Sequence, residues 1–168
     1  MTPPRVVLVG PMGAGKSTVG RILAERWGVG FRDIDDDVEA ADGRAISDIF
    51  VESGEDHFRA LERTAVACAL AEHDGVLAVG GGAVTAESSR DAMAGHRIVY
   101  LRVGLSDAAA RVGLGSSRPL LLGNVRGTMK ALLEERGPVY ESVSMAVVDT
   151  DGRTPDEVAA LVEEALDG

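Results

Sequence analysis

The chain has 168 residues, enough for one domain that buries its own core without metal or disulfide support. Its formal net charge of -10, from 17 basic and 27 acidic side chains, argues against a nucleic-acid surface or an anionic membrane as partner, since either would be repelled over most of the molecule. The single cysteine, Cys68, excludes an internal disulfide, the apolar run after Met1-Thr2-Pro3-Pro4-Arg5 is too short for a signal peptide, and no stretch approaches a membrane span, so a cytoplasmic protein is expected.

Aromatic residues make up only 4%, so packing must rest on Val, Leu, Ile and Ala. Val6-Val7-Leu8-Val9 reads as a short buried strand. Directly after it, Gly10-Pro11-Met12-Gly13-Ala14-Gly15-Lys16-Ser17-Thr18 fits G-x-x-x-x-G-K-[ST]. A helical pattern follows, with Val19, Ile22, Leu23 and Trp27 on one face and Gly28 and Gly30 at its end. This context suits a polyphosphate: glycines let backbone N–H groups turn inward, the helix N-terminus is partially positive, and Lys16 reaches the outer phosphates. Ser17 offers a hydroxyl to Mg²⁺. A plain glycine-rich strand-to-helix turn is the alternative.

Phe31 to Asp35 alternates apolar and polar residues as a strand does, which predicts Asp33 and Asp35 on the same face. They would sit at the carboxyl end of a parallel strand, facing the ligand crevice of an open α/β sheet. One could orient Mg²⁺ while the other accepts a proton from a substrate hydroxyl; a solvated acidic strand end is the alternative. From Asp37 to Gly54 the pattern predicts two short helices with Ile46, Ile49 and Phe50 as their apolar edge. A longer helix from Glu55 to His73 is predicted to bury Phe58, Leu61, Ala65, Cys68 and Ala69, which makes Cys68 a core residue. On that helix Arg59 and Glu62, one turn apart, read as a surface ion pair. His57, His73 and His96 have no carboxylate or cysteine at ligand spacing and read as surface residues.

Val76-Leu77-Ala78-Val79 is a continuous apolar strand that ends in Gly80-Gly81-Gly82. Proteins with this kind of phosphate loop often carry an aspartate there, so its absence shifts metal duty towards Asp33. The glycines either let a ligand approach the backbone and its N–H donors or form a turn that needs positive φ. A helix near Ser88 to Ala94 leads to a strand at Ile98 to Val103, then a helix at Ala108 to Val112 and a mobile-looking stretch from Gly113 to Leu120. A helix from about Arg126 to Arg136 is predicted to stop there, with Pro138 starting another. After a last strand at Ala146 to Asp149, Thr154-Pro155-Asp156-Glu157 reads as a capping box, opening a terminal helix with Val158, Leu161, Val162 and Leu166 inward. Strands alternate with helices five times, which predicts a five-stranded parallel sheet with helices on both faces, a three-layer α/β/α domain spanning residues 1–168.

The motifs as a set resemble the shikimate kinases nearly end to end. The resemblance is carried by Gly10 to Thr18, Asp33-Ile34-Asp35, Phe58-Arg59 with Glu62, Gly80-Gly81-Gly82-Ala83-Val84, Arg118-Pro119-Leu120 and Arg136-Gly137-Pro138-Val139-Tyr140. The phosphate loop is common to many families, whereas the combination is specific. It implies a P-loop kinase fold, with a substrate-binding region at about 33–62 and a lid at about 113–125. The implied reaction is transfer of the ATP γ-phosphate to the 3-hydroxyl of shikimate, on the route to chorismate and the aromatic amino acids, with Mg²⁺ as cofactor. By the same resemblance Lys16, Asp35 and Arg118 are catalytic. Gly13, Ala14, Gly15, Lys16, Ser17, Thr18, Arg111, Arg118, Arg153 and Pro155 hold ATP, and Ser17 and Asp33 hold the metal. Asp35, Arg59, Gly80, Gly81, Gly82 and Arg136 hold shikimate. Guanidinium forks suit a ring carboxylate, and a local pair of arginines lets an anion bind a protein of net charge -10. A monomer with a small-molecule substrate is expected, with neither nucleic acid nor membrane as partner. Two rivals remain open: a kinase for another small hydroxy acid such as gluconate, and a nucleotide-dependent regulatory module without transfer activity.

Overall fold

Alternation along the strands divides the core between two faces of one sheet. The computed structural model describes residues 2–112 and 125–168. Strand β1 (Val6–Val9) lies between β3 (Val76–Ala78) and β4 (Ile98–Arg102), with β2 (Phe31–Asp33) outside β3 and β5 (Ala146–Asp149) outside β4. All pairings are parallel, with Val7 opposite both Leu77 and Ile98. Val7, Leu77, Ile98 and Tyr100 therefore face one way and Val6, Leu8, Val99 and Leu101 the other. The first set packs on α2 (Ile34–Asp42), α3 (Ile46–Ser53), α4 (Glu55–Glu72), α5 (Glu87–Met93) and α7 (Val125–Val143) through Ile34, Val38, Ile49, Phe58, Met93 and Tyr140. The second packs mainly on α1 (Lys16–Trp27) and α8 (Pro155–Asp167) through Val19, Leu23, Val158 and Val162, with α6 (Leu105–Val112) at its edge through Ala108. Both faces of a parallel sheet are thereby covered, which its continuous apolar strands require.

Several boundaries differ from the sequence expectation. The strand at Phe31 ends at Asp33, and Ile34 already belongs to α2, so Asp33 and Asp35 are not two positions on one strand face. Asp33 is the N-cap: its carboxylate accepts the Asp35 N–H at 2.9 Å, and Asp35, Asp36 and Asp37 fill the first turn. Carboxylates there satisfy free N–H groups and meet the positive end of the helix, which outweighs the alternating pattern. On α4 the buried positions are Phe58, Glu62, Val66, Ala69 and Leu70. Their spacing of three and four places Leu61 and Ala65 at the border and turns Cys68 to solvent, so Cys68 is not a core residue. Helix α7 does not stop at Arg136 but runs through Pro138 to Val143. One proline removes a single helical N–H donor, and the buried Tyr140 beyond it holds the helix against the sheet. The predicted capping box is present, with Thr154 Oγ1 accepting the Glu157 N–H at 3.2 Å and Glu157 accepting the Thr154 N–H at 2.9 Å.

The order β2-β3-β1 has a direct consequence for function. It sets Asp33, the Gly80 to Gly82 run and the loop from Gly10 to Gly15 side by side at the carboxyl edge of the sheet, where open parallel sheets bind ligands.

Candidate active site

The phosphate loop owes its shape to two glycines. Gly10 has φ of 149° and a Cβ there would lie 2.5 Å from the Leu101 carbonyl oxygen, so no other residue fits. Gly15, at φ 88°, is the N-cap of α1 and makes no side-chain cap, which leaves the first N–H groups of α1 directed at the loop. Lys16 Nζ folds back over the loop and donates to the carbonyls of Gly10 at 2.6 Å and Pro11 at 2.9 Å. Ser17 Oγ donates to Asp33 Oδ2 at 2.7 Å, which brings together the two sequence-predicted metal residues. A hydroxyl and a carboxylate oxygen in contact fit Mg²⁺, which takes few protein ligands when phosphate and water fill its remaining positions. Among the described residues no three His, Cys, Asp or Glu side chains form a metal cage.

On the neighbouring strand each glycine of the triple run makes room for a different partner. A Cβ on Gly80 would lie 2.9 Å from Glu62 Oε2 and 3.3 Å from Asp35 Oδ1. One on Gly81 would touch Gly10 O and Met12 N at 3.5 Å, and one on Gly82 would lie 2.5 Å from both terminal nitrogens of Arg59. None of the three has positive φ, so a turn that demands a left-handed residue is not why they are glycine. Gly80 and Gly82 are small because an acid and a guanidinium close on them, while a Cβ on Gly81 would meet the phosphate loop at ordinary contact distance.

Arg59 donates to Glu62 Oε1 at 2.7 Å and to Glu55 Oε2 at 3.3 Å, and its guanidinium lies 5.2 Å from the Phe58 ring centroid. This is not the surface ion pair expected from spacing, because Glu62 is only 2% exposed. Packing of α4 on α2 and the sheet buries the acid and fixes the arginine beside Gly82. Arg136 comes from α7 and keeps Nε buried without a hydrogen-bond partner among the described residues. One turn on, the buried Tyr140 hydroxyl donates to the Gly81 carbonyl. Burial pushes the Tyr140 phenol up to about 12, and the Arg136 guanidinium, and more weakly that of Arg59, pull it back. Arg59 thus stands against Gly82, and Arg136 stands one helical turn before the Tyr140 that bonds Gly81. Burial, reinforced by Asp33, also raises the Asp36 carboxyl above its ordinary value.

A cavity of about 250 Å³ opens on the other side of the phosphate loop. Ala14, Gly15 and Thr18 form one wall, and Arg111, Arg153 and Pro155 the other, so the structure gathers all three residues predicted for the nucleotide's far end. Arg111 Nη1 donates to the Gly13 carbonyl at 2.7 Å, tying α6 to the loop. Arg118 and the rest of Arg118-Pro119-Leu120 lie outside the described residues, as does nearly all of the predicted lid.

Sequence reasoning did not place Glu62, Tyr140, Thr150 or Val158 among the site residues. Thr150 and Val158 line the nucleotide-side cavity, where no local pattern marks them. Glu62 and Tyr140 were visible only as parts of the F-R-x-x-E and R-G-P-V-Y segments. The histidines lie apart from the site. His57 is exposed and 3.3 Å from Asp42, whose carboxyl the Arg44 guanidinium holds down at about 2. His73 is half-buried with its ring nitrogen 3.0 Å from the Val76 carbonyl oxygen, and His96 is half-buried too, so neither is the surface residue expected.

The shikimate kinase family matches residues 12–167. The shikimate kinase of Streptomyces avermitilis is 56% identical over 167 residues, covering 99% of this chain and 98% of that protein. The shikimate kinase of Salinispora arenicola is 59% identical over 163 residues, with 97% and 98% covered. Among solved structures, the shikimate kinase of Acinetobacter baumannii in complex with shikimate superposes with a TM-score of 0.92 at 34% identity, covering 98% of this chain and 92% of that one. Family match, identity over nearly the whole length and shared architecture agree: the chain belongs to the shikimate kinase family.

Proposed function

We propose that the protein transfers the γ-phosphate of ATP to the 3-hydroxyl of shikimate, giving shikimate 3-phosphate and ADP. The observation that carries this reading is that Asp35 closes on Gly80 and Arg59 on Gly82, with Arg136 one turn before the Tyr140 that bonds Gly81, on a glycine run beside the phosphate loop. A ring carboxylate enters between the two guanidiniums, and each charge-assisted hydrogen bond there contributes about 1.5 to 3 kcal/mol. That grip at one end of the ring presents its hydroxyls to Asp35 at the other, and Asp35 accepts the proton as the hydroxyl attacks. The far side of the phosphate loop takes the nucleotide, with Arg111, Arg153 and Pro155 around the base and the N–H groups of Gly13 to Thr18 on the phosphates.

Lys16 leaves its loop carbonyls to meet the β- and γ-phosphates, and Arg118 has the catalytic role that the family resemblance implies. Ser17 and Asp33 would hold Mg²⁺, which when bound neutralises charge on the phosphate oxygens. Phosphoryl transfer asks for little covalent work from the protein, so positioning and fixed charge carry most of the rate. Residues from one chain supply every role, so a monomer suffices. No helix among the described residues is long and apolar enough to cross a membrane, in keeping with a cytoplasmic place on the route to chorismate.

ADP release measured with shikimate, with gluconate and with no acceptor tests the reading. It predicts release that depends on shikimate and stays at background in the other two. Gluconate-dependent release favours a kinase for a different hydroxy acid, and nucleotide binding without turnover favours a regulatory module.

A further inference from the structure

We infer that Tyr140 is a positioning residue for the substrate carboxylate: its hydroxyl pins the Gly81–Gly82 peptide and so aims the Gly82 N–H at the anion that Arg59 and Arg136 hold. The inference rests on the shikimate reading above. Three consecutive glycines carry no side chains to restrain their peptide planes; the Gly80 and Gly82 carbonyls are held locally by the Ala83 and Thr85 N–H groups, whereas the Gly81 carbonyl takes its hydrogen bond from another element. Tyr140 is that element's donor. It is fully buried on α7, its ring packs against Tyr100 at 5.0 Å between centroids, and its hydroxyl donates to the Gly81 carbonyl.

The Gly81 carbonyl and the Gly82 N–H belong to one planar trans peptide and point in opposite directions. Holding the oxygen towards α7 therefore holds the N–H away from it. Gly82 lies directly against the Arg59 guanidinium, and its N–H donates to no group among the described residues. An aimed backbone donor beside a cation is what a carboxylate oxygen requires. A phenylalanine would fill the same apolar space, whereas a buried hydroxyl is unfavourable unless its hydrogen bond is made. Because Arg136 stands one turn before Tyr140 on α7, the same hydrogen bond also fixes that turn of α7 against the glycine backbone.

Steady-state kinetics of Y140F in the full chain test this. Loss of one aligned hydrogen bond is expected to raise KM for shikimate about three- to tenfold. Both kcat and KM for ATP should stay within about twofold, since no group on the phosphate side is disturbed. With a shikimate analogue that carries hydrogen in place of the carboxylate as acceptor, the variant and the wild type should differ little, because the Gly82 N–H then has no oxygen to meet. An unchanged KM for shikimate, an equal loss for shikimate and the analogue, or an equal rise in KM for ATP each overturns the proposal. A readout that needs no variant is the Gly82 amide proton resonance, which should move on addition of shikimate; an unmoved resonance also overturns it. Wild-type protein inert towards shikimate contradicts the proposed reaction itself, while an active wild type matched by Y140F contradicts only the role of Tyr140.

Discussion

Arg136 holds a buried Nε that finds no hydrogen-bond partner among the described residues, an arrangement that costs about 1 to 3 kcal/mol for a polar group taken out of water. On the proposed reading a ligand carboxylate would supply the missing acceptor. Arg136→Ala is therefore expected to weaken shikimate binding by about 2 to 5 kcal/mol, the usual loss when one partner of a buried charged pair is removed. ATP affinity should change little, because the nucleotide cavity lies on the far side of the phosphate loop. Calorimetric titration with each ligand checks this, and an equal loss for ATP contradicts the placement of Arg136. At this scale Lys16 and Ser17 were marked out by the loop pattern, Asp35 and the three glycines by their place at strand ends, and Arg59 and Arg136 by family resemblance. Glu62 and Tyr140 were not, because what distinguishes them is burial: an acid at helical spacing from an arginine reads as a solvated pair until α4 packs on α2 and removes the water.

Helix and strand boundaries obey competing local rules, and the misreadings fall where two rules meet. Asp33-Ile34-Asp35 alternates like a strand, but Asp33 also caps and Asp35 to Asp37 also favour a helix start, and the cap decides. The change matters for chemistry. It leaves Asp33 on Ser17 and lifts Asp35 into the first turn of α2, against Gly80, so the two acids serve two places instead of one. On α4 a shift of one position in the buried face exposes Cys68, since the apolar and small residues there permit either face. The start of the terminal helix was read correctly because proline, capping Thr154 and Glu157 all point to it, although Ala159 is buried and Leu161 and Leu166 only partly so. Thr154→Ala is accordingly expected to destabilise the protein by about 1 kcal/mol. ATP affinity should fall with it, as Arg153 and Pro155 flank the cap and line the nucleotide cavity. Chemical denaturation with and without nucleotide reads both effects; unchanged stability would remove the cap from the account.

The whole molecule solves an electrostatic problem by topology. A chain of net charge -10 has to gather two anionic substrates and keep them in contact. The order β2-β3-β1-β4-β5 puts the carboxyl ends of three neighbouring strands together, so Lys16 on the phosphate loop, Arg59 beside Gly82, and Arg111 and Arg153 around the loop's cavity lie on one edge although they are spread over most of the sequence. Apolar periodicity and the phosphate loop were enough to foresee a parallel α/β sheet. That Arg59 and Arg136 should grip one ligand was expected from family resemblance alone, because α4 and α7 are far apart in the chain and share no local pattern. The most direct measurement is a crystal structure with shikimate and a non-hydrolysable ATP analogue bound together. It is predicted to show the carboxylate between Arg59 and Arg136 with the Gly82 N–H donating to it, and the 3-hydroxyl on Asp35 in line with the γ-phosphate. A ring bound the other way round, or one that touches only one of the two guanidiniums, would contradict it.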